Sequence, residues 1–573
     1  LSYKEKEEIF MKLKKLMAMG LAGIMALGMI GCSTPSTTVE TTTPAATTAT
    51  GGETTAAGGE TTEAPAATGN KIFRYSNKAD IATFDSNMTN SVPDATISYH
   101  IYDGLFRNVQ GDIQPAVAES YEVSADGLTY TFHLRSDAKW SDGVAVTAND
   151  FEYSWKRLMD PANACPAAYI GEVLKNGGAV SAGEMDASEL GVKAIDDTTL
   201  EVTLEFAADY FVGMLSMSSF MPVRQDLAEQ YGQDFCGTPD KQVYNGPFMV
   251  TEYGSGVLKM EKNTAYYDAA KISLDGVEVL TVADEATALA MYESGDLDMA
   301  EVPSAQVAQY EGQTLSYYSG ADDFAALNLD NEYLANKNLR LAMNYAMNRE
   351  DYITLTHDGI YEANLRYVLP QVHGAEDDYG TEYPYEAYPL QGDQAKAQEY
   401  MAQALEELGV AASDINLKLV VTDTDVAKAE AEVVKAQLES ALGITIEINL
   451  VPYKTRNAML IPHNPDFDII MTGWAPDYSD PYSYLELLIS TSSYNYFNYS
   501  SEEFDAYMQT SRETSGKERM DALFEAEKVM LDDAPMIPLQ LRLVHYLQSD
   551  NITGLEGYFV GLNYNYMYVD MTE

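Results

Sequence analysis

The chain predicts an α/β fold with mixed β-sheets, and three stretches carry that expectation. "INLKLVV" at Ile415–Val421 reads as a strand, a helical pattern follows over Asp425–Leu442, and "ITIEINLV" at Ile444–Val451 reads as a second strand. Strand, crossover helix and strand make a βαβ unit with parallel strands. "LTYTFHLR" at Leu128–Arg135 alternates apolar and polar residues, the period of a strand with one buried face. "TANDF" at Thr147–Phe151 opens a helix.

Each element has a local cause. "SDG" at Ser141–Gly143 turns the chain after the alternating strand. Thr147 and Asp150 are spaced as a capping box, starting an amphipathic helix through Trp155. In the helix near Asp425–Leu442, Val434, Leu438 and Leu442 recur every four residues on the side expected to face the sheet. Gly443 closes that helix. "FDIIMTGW" at Phe467–Trp474 reads as a strand entering the interior, and "APDYSDP" follows. That last stretch has two readings. Asp, Ser and Pro form turns, and Asp480 can cap a helix starting at Pro481. Alternatively Asp477, emerging beside Trp474, is a carboxylate awaiting a cationic partner, because a bare carboxylate against apolar surface is costly.

Length and charge narrow the class. At 573 residues the chain exceeds a single core and should hold two or three domains. With 88 acidic against 35 basic residues the formal net charge is −53, a surface that repels nucleic acid phosphates and anionic lipid. No nucleic acid partner is expected. There are 41 tyrosines and only three cysteines, which argues against a disulfide framework or a cysteine-rich metal site. Cys165 and Cys236 are expected as free thiols, with a disulfide left open. His100, His133, His357, His373, His463 and His545 are scattered, and no zinc-protease helix, phosphate loop or nucleophile elbow stands out. No enzyme, metal or cofactor is therefore expected, although numerous carboxylates leave a glycosidase pair open by counting alone.

The N-terminal region reads as an address and a tether. Lys12, Lys14 and Lys15 precede an apolar run from Leu16 to Ile30, then Gly31 and Cys32. The run has the layout of a secretory signal and is short for a membrane span. "MIGC" resembles the bacterial lipobox, which implies that Cys32 is lipidated as the first mature residue; Met29 stands where leucine is usual. Residues 1–10 are expected to be mis-annotated upstream sequence with Met11 as the start, and residues 11–31 the signal peptide. Residues 32–70 are rich in Thr, Ala, Gly, Pro and Glu with no large apolar side chain, a composition that cannot bury a core. As a flexible coil this tether would span roughly 35 Å. Protein of this layout is expected outside the cytoplasm, anchored to the outer face of the cytoplasmic membrane of a Gram-positive-type bacterium.

Several segments together resemble the extracytoplasmic solute-binding proteins of peptide ABC importers (family 5), especially the oligopeptide-binding ones. They are "DGLTYTFHLRSDAKWSDGVAVTANDFEYSWKRLMDP" (Asp126–Pro161), "YNGPFMVTEY" (Tyr244–Tyr253), "YESGDLDMAEVP" (Tyr292–Pro303), "NKNLRLAMNYAMNRED" (Asn336–Asp351) and "FDIIMTGWAPDYSDPYSYL" (Phe467–Leu485) followed by the helical "YFNYSSEEFDAYM". The resemblance runs from Lys71 to the C-terminus in family order, and it assigns Trp140 and Arg340 structural roles. It implies a two-lobed periplasmic-binding-protein-like fold (type II, cluster C) with an extra domain inserted in the first lobe. Lobe I would take 71–104, 224–321 and 545–573, the additional domain 105–223, and lobe II 322–544. It also implies a peptide ligand, oligopeptide or dipeptide, captured between the lobes by hinge closure, delivery to ABC permease subunits, no catalysis, and a monomer.

The resemblance further implies a binding site. The aspartate of the Gly-Trp-x-x-Asp motif falls on Asp477, where it meets the peptide α-ammonium, with Gly473, Trp474 and Ala475 forming the strand and pocket wall beside it. "SVPD" places Val92 at the lobe I contact, Tyr453 in "VPYKTR" stands at an aromatic pocket position, and Asn495 lies near a polar one. The family tyrosine that follows the "DP" segment meets Ala167, or Tyr169 if one residue was deleted. Some members carry an arginine three residues before the motif tryptophan to meet a peptide carboxylate; here that residue is Met471. Fixed capture of a peptide C-terminus is therefore not expected. Relatives of the same fold bind oligosaccharides or other solutes, and a secreted, tethered hydrolase is the alternative of another class.

Overall fold

The computed structural model describes residues 70–89, 91–109 and 112–572. The upstream residues, the signal-like run, Cys32 and all but the last residue of the expected tether lie outside them. Three larger sheets organise the described chain. In the first, Ile72–Asn77 pairs in parallel with Gly276–Thr281, which pairs antiparallel with Val257–Lys262, itself antiparallel to Phe248–Gly254. The chain between its first two sequential strands builds a separate antiparallel sheet, ordered Ala118–Val123, Thr129–Leu134, Thr199–Thr203 and Val192–Asp196. Tyr130, Phe132 and Leu134 point to the buried side of that sheet, as the alternation in "LTYTFHLR" requires.

The capping-box spacing starts a helix over Ala148–Met159, longer than the reading to Trp155. The Thr147 N–H donates to Asp150 Oδ2 at 2.8 Å. Such a cap contributes about 1 kcal/mol. Its inward face carries Phe151, Trp155 and Leu158, all fully buried. Trp140 is also buried, and the Arg340 guanidinium is spent on the main-chain carbonyls of Leu334, Ala335 and Asp533. Cys165 and Cys236 are buried free thiols.

The third sheet has seven strands, with the order Met299–Glu301, Met536–Gln548, Leu315–Leu327, Ile469–Trp474, Asn416–Thr422 and Thr445–Val451, and Glu362–Ala363 on the side of Met536–Gln548. Its far end is the expected βαβ unit. Asn416–Thr422 and Thr445–Val451 run parallel in register from Asn416↔Thr445 to Thr422↔Val451. The intervening helix Asp425–Leu442 starts where Thr424 accepts the Ala427 N–H and ends at Gly443, whose φ of +71° suits a residue without Cβ. Val434, Leu438 and Leu442 are buried against the sheet, each side chain contributing about 1.5–3 kcal/mol of burial.

Two thirteen-residue strands, Leu315–Leu327 and Met536–Gln548, form the spine of this sheet. Their pairing breaks between Tyr318 and Asp322. Gly320 lies in the break with φ +77°, and a Cβ there would come 1.7 Å from the Phe559 carbonyl oxygen. Only glycine fits that approach. Among the described residues no helix is long and apolar enough to cross a membrane.

Candidate functional site: a cleft with an unpaired carboxylate

The strand Ile469–Trp474 enters the sheet through an apolar, buried end, where Ile469 and Ile470 are fully buried, and leaves it at the half-buried Gly473 and Trp474. One edge pairs with Leu315–Leu327 along its whole length, from Ile469↔Leu327 to Trp474↔Asp322. The other edge meets Asn416–Thr422 only at Ile469 and Ile470. From Met471 onward that second edge carries no strand among the described residues, and the Met471 carbonyl instead accepts from Arg456 at 3.2 Å. Gly473 is packed against its neighbour strand so closely that a Cβ would lie 2.5 Å from both Asp322 O and Asp323 Oδ1.

Beyond Trp474 the chain turns, and the two aspartates of the turn have different fates. Asp480 is structural. Its Oδ1 accepts the Tyr482 N–H at 2.8 Å, and the Arg519 guanidinium meets it at 2.7 and 2.9 Å in a buried, bidentate pair. The helix it precedes is Tyr482–Leu485. Asp477 uses only its backbone for the turn, donating its N–H to Ser483 Oγ at 3.0 Å. Its carboxylate opens on a cavity of about 900 Å³ whose wall includes Val92, Tyr169, Tyr210, Ala475 and Phe559.

Burial pushes the Asp477 carboxyl up to about 6, opposed by a hydrogen bond from the Tyr169 hydroxyl. No basic side chain pairs with Asp477 among the described residues. The two nearby arginines are committed elsewhere: Arg519 to Asp480, and Arg512 to the Tyr482 hydroxyl at 2.7 Å. Glu486, nine residues further along and just past the helix Tyr482–Leu485, is pushed up to about 8 by burial first and by the Asp477 charge second. Among the described residues Asp477 therefore sits in a poorly hydrated setting without an ion pair, since the Arg519 that shares its cavity wall is taken by Asp480.

The structure brings Val92, Tyr169, Ala475 and Asp477 to one cavity. Val92 is the first residue of the helix Val92–Ile101 and is 43% exposed; Tyr169 lies in the short 3-10 helix Ala168–Val173. Ala167 also lines the cavity, so both positions weighed for the family tyrosine face it. Trp474 is half-buried, its ring 6.1 Å from that of Tyr494, which in turn meets Tyr169 edge-on at 6.4 Å. Tyr453 begins the helix Tyr453–Ala458, is 62% exposed and lies off the cavity wall, with the Arg456 guanidinium 5.3 Å from its ring centroid. Asn495 is buried and spends its side chain on the chain around it: it donates to the Ile489 and Tyr499 carbonyls and accepts the Tyr499 N–H. Tyr210 comes from a stretch with no motif of its own, and Glu486 directly follows the Phe467–Leu485 segment without being part of it, so neither stands out in the sequence.

Residues 112–496 match the family described as bacterial extracellular solute-binding proteins, family 5 Middle. The chain belongs to the family 5 bacterial extracellular solute-binding proteins. Within family 5, it is 29% identical over 562 residues to the dipeptide-binding protein DppE of Bacillus subtilis (strain 168), covering 96% of this chain and 98% of that one. It is 30% identical over 467 residues to the oligopeptide-binding protein OppA of the same organism, covering 79% of this chain and 84% of that one. Among solved structures, the peptide-bound OppA of Listeria monocytogenes superposes with a TM-score of 0.71 at 29% identity, over 88% of this chain and all of the other (100%). This family 5 chain thus has the two-lobed α/β fold of the oligopeptide-binding proteins, with mixed sheets.

Proposed function

We propose that this chain is the extracytoplasmic substrate-binding component of an ABC importer, capturing peptides between its lobes and handing them to membrane permease subunits. The observation that carries the reading is Asp477, a half-buried carboxylate facing a cavity of about 900 Å³ with no ion-pair partner among the described residues, Arg519 in the same wall being paired with Asp480. A peptide α-ammonium supplies the missing charge, whereas a neutral sugar leaves it unmatched. The strand edge beyond Met471, which no strand pairs among the described residues, offers main-chain groups to an extended ligand, a way to bind peptides without reading their sequence. Named relatives that are dipeptide- and oligopeptide-binding proteins support the same ligand class.

The proposed division into lobes 71–104, 224–321 and 545–573 on one side and 322–544 on the other falls within the two long strands, beside the register break at Tyr318/Asp322. The break in pairing there is the hinge of this proposal, with residues 105–223 as its additional domain. Lipidation at Cys32 completes the proposal and would keep the receptor at the membrane face.

Native mass spectrometry of the freshly purified, untagged protein tests the ligand class. Co-purified peptides of mixed sequence are expected. A homogeneous sugar adduct, or turnover of peptide or glycan by the purified protein, would overturn the reading.

A further inference from the structure

A strap from the inserted antiparallel sheet reaches across to the segment that carries Asp477. It is Phe206–Tyr210, which follows the strand Thr199–Thr203 and leads into the helix Phe211–Met214. Its base is rigid. Phe211 is fully buried, with ring centroids 5.2 Å from Tyr130 and 6.5 Å from Trp155. Its tip makes three kinds of contact with residues after the strand Ile469–Trp474. The Tyr210 ring stacks on Tyr478 at 4.9 Å and 9° and on Tyr482 at 5.7 Å and 15°, while the Arg519 guanidinium lies 4.9 Å from its centroid. Asp209 Oδ2 accepts the Gly516 N–H at 2.7 Å. The Arg512 guanidinium lies 5.2 Å from the Phe206 ring.

We propose that Phe206–Tyr210 is a clasp that holds the cleft closed, and that Tyr210 is a positioning residue for Asp477. The chemistry supports this division of labour. Tyr478 is the residue next to Asp477, and Arg519 anchors Asp480 three residues beyond it, so the clasp grips both flanks of the acidic turn. Stacked rings and a cation over a ring lose their contact completely once the surfaces part, so the whole of this attraction favours the closed state over the open one. The clasp rests on the two-lobed capture proposed above, but it acts without ligand, which separates the two tests.

The experiment uses the full chain with ligand removed by unfolding and refolding. Small-angle scattering and hydrogen exchange of the segment covering Gly516 are compared for wild type, Phe206→Ala, Tyr210→Ala and Tyr210→Phe. Phe206 and Arg512 lie off the cavity wall, so Phe206→Ala reports the clasp without touching a bound ligand. Both alanine variants are expected to have a larger radius of gyration than wild type, with exchange at Gly516 faster by about tenfold. Tyr210→Phe keeps the stacking ring and is expected to match wild type, which a purely polar role for the hydroxyl would not allow. Unchanged radius and exchange in both alanine variants would overturn the clasp, as would a wild type already as open as they are. Failure to bind peptides would leave these outcomes standing.

Discussion

The Trp474 indole N–H donates to the Ser483 carbonyl oxygen at 2.8 Å, and the Ser483 hydroxyl accepts the Asp477 N–H at 3.0 Å. One residue, Ser483, therefore ties the end of the strand to the turn that presents the carboxylate. The tryptophan before the aspartate is part of the mount. Trp474→Phe keeps most of the ring and removes the donor. It is expected to weaken peptide binding about tenfold with a small loss of stability, since a net hydrogen bond contributes about 0.5–1.5 kcal/mol. Titration calorimetry with a mixed-peptide probe reads the first effect and a thermal melt the second; unchanged affinity would make the bond incidental.

Asp477→Ala is expected to lose most peptide binding while the protein stays folded. Removing one partner of a desolvated charge pair costs about 3–5 kcal/mol, a few hundred-fold or more in affinity. N-acetylated peptide should lose a similar amount on wild type. The two changes should be far from additive, because each abolishes the same contact. Calorimetry on the four combinations decides it: equal affinity of wild type for free and acetylated peptide would reduce Asp477 to a turn residue.

The pH dependence has a definite sign. Burial first raises Asp477 to about 6 and Glu486 to about 8, whereas carboxyl groups of an unfolded chain titrate near 4. Raised folded values mean that these sites stabilise the unliganded fold fully below about pH 4, and that the contribution is lost as pH rises through 6 and then 8. Glu486→Gln should therefore melt higher than wild type at pH 9 and equally at pH 4. Peptide affinity should move the other way at the acidic end, falling below about pH 6 as Asp477 takes up a proton. Scanning calorimetry across that range checks the first, and peptide titrations at pH 5 and 7 the second.

Gly473→Ala places a Cβ 2.5 Å from the Asp322 carbonyl and the Asp323 carboxylate. The strand must shift, at a cost of about 1–3 kcal/mol. A lower urea midpoint with unchanged slope is expected, together with weaker peptide binding because Trp474 and Ala475 move with the strand. A variant as stable as wild type would show that the spine strand can yield there.

Cys32→Ser is expected to move the protein from the membrane fraction to the soluble one. Two acyl chains hold a protein stably at a bilayer, and the variant would carry none. Recovery of the variant in membranes at the wild-type level would count against lipid anchoring.

The elements legible in the sequence were those whose cause is local. Asp425–Leu442 announces itself through apolar residues at helical spacing and a closing glycine, Thr129–Leu134 through strict alternation, and Ala148–Met159 through Thr147 and Asp150. Asp477 could be singled out because a family motif travels with it, and motif spacing survives without coordinates. What needed the tertiary structure was everything decided by residues far apart in the chain. Asp477 and Asp480 look alike in "PDYSDP" and both reach the cavity wall, yet Arg519 neutralises Asp480 and forms no ion pair with Asp477. Asn495, polar and close to the motif, is consumed by the Ile489 and Tyr499 backbone, and Tyr453 points to solvent. Tyr210 lies more than two hundred residues from Tyr478 and Tyr482, so no local period could pair them. Local hydrogen bonding and hydrophobic period determine which segments become strands and helices. The charge left unpaired in the cleft depends on which distant arginine reaches which carboxylate, and only packing decides that.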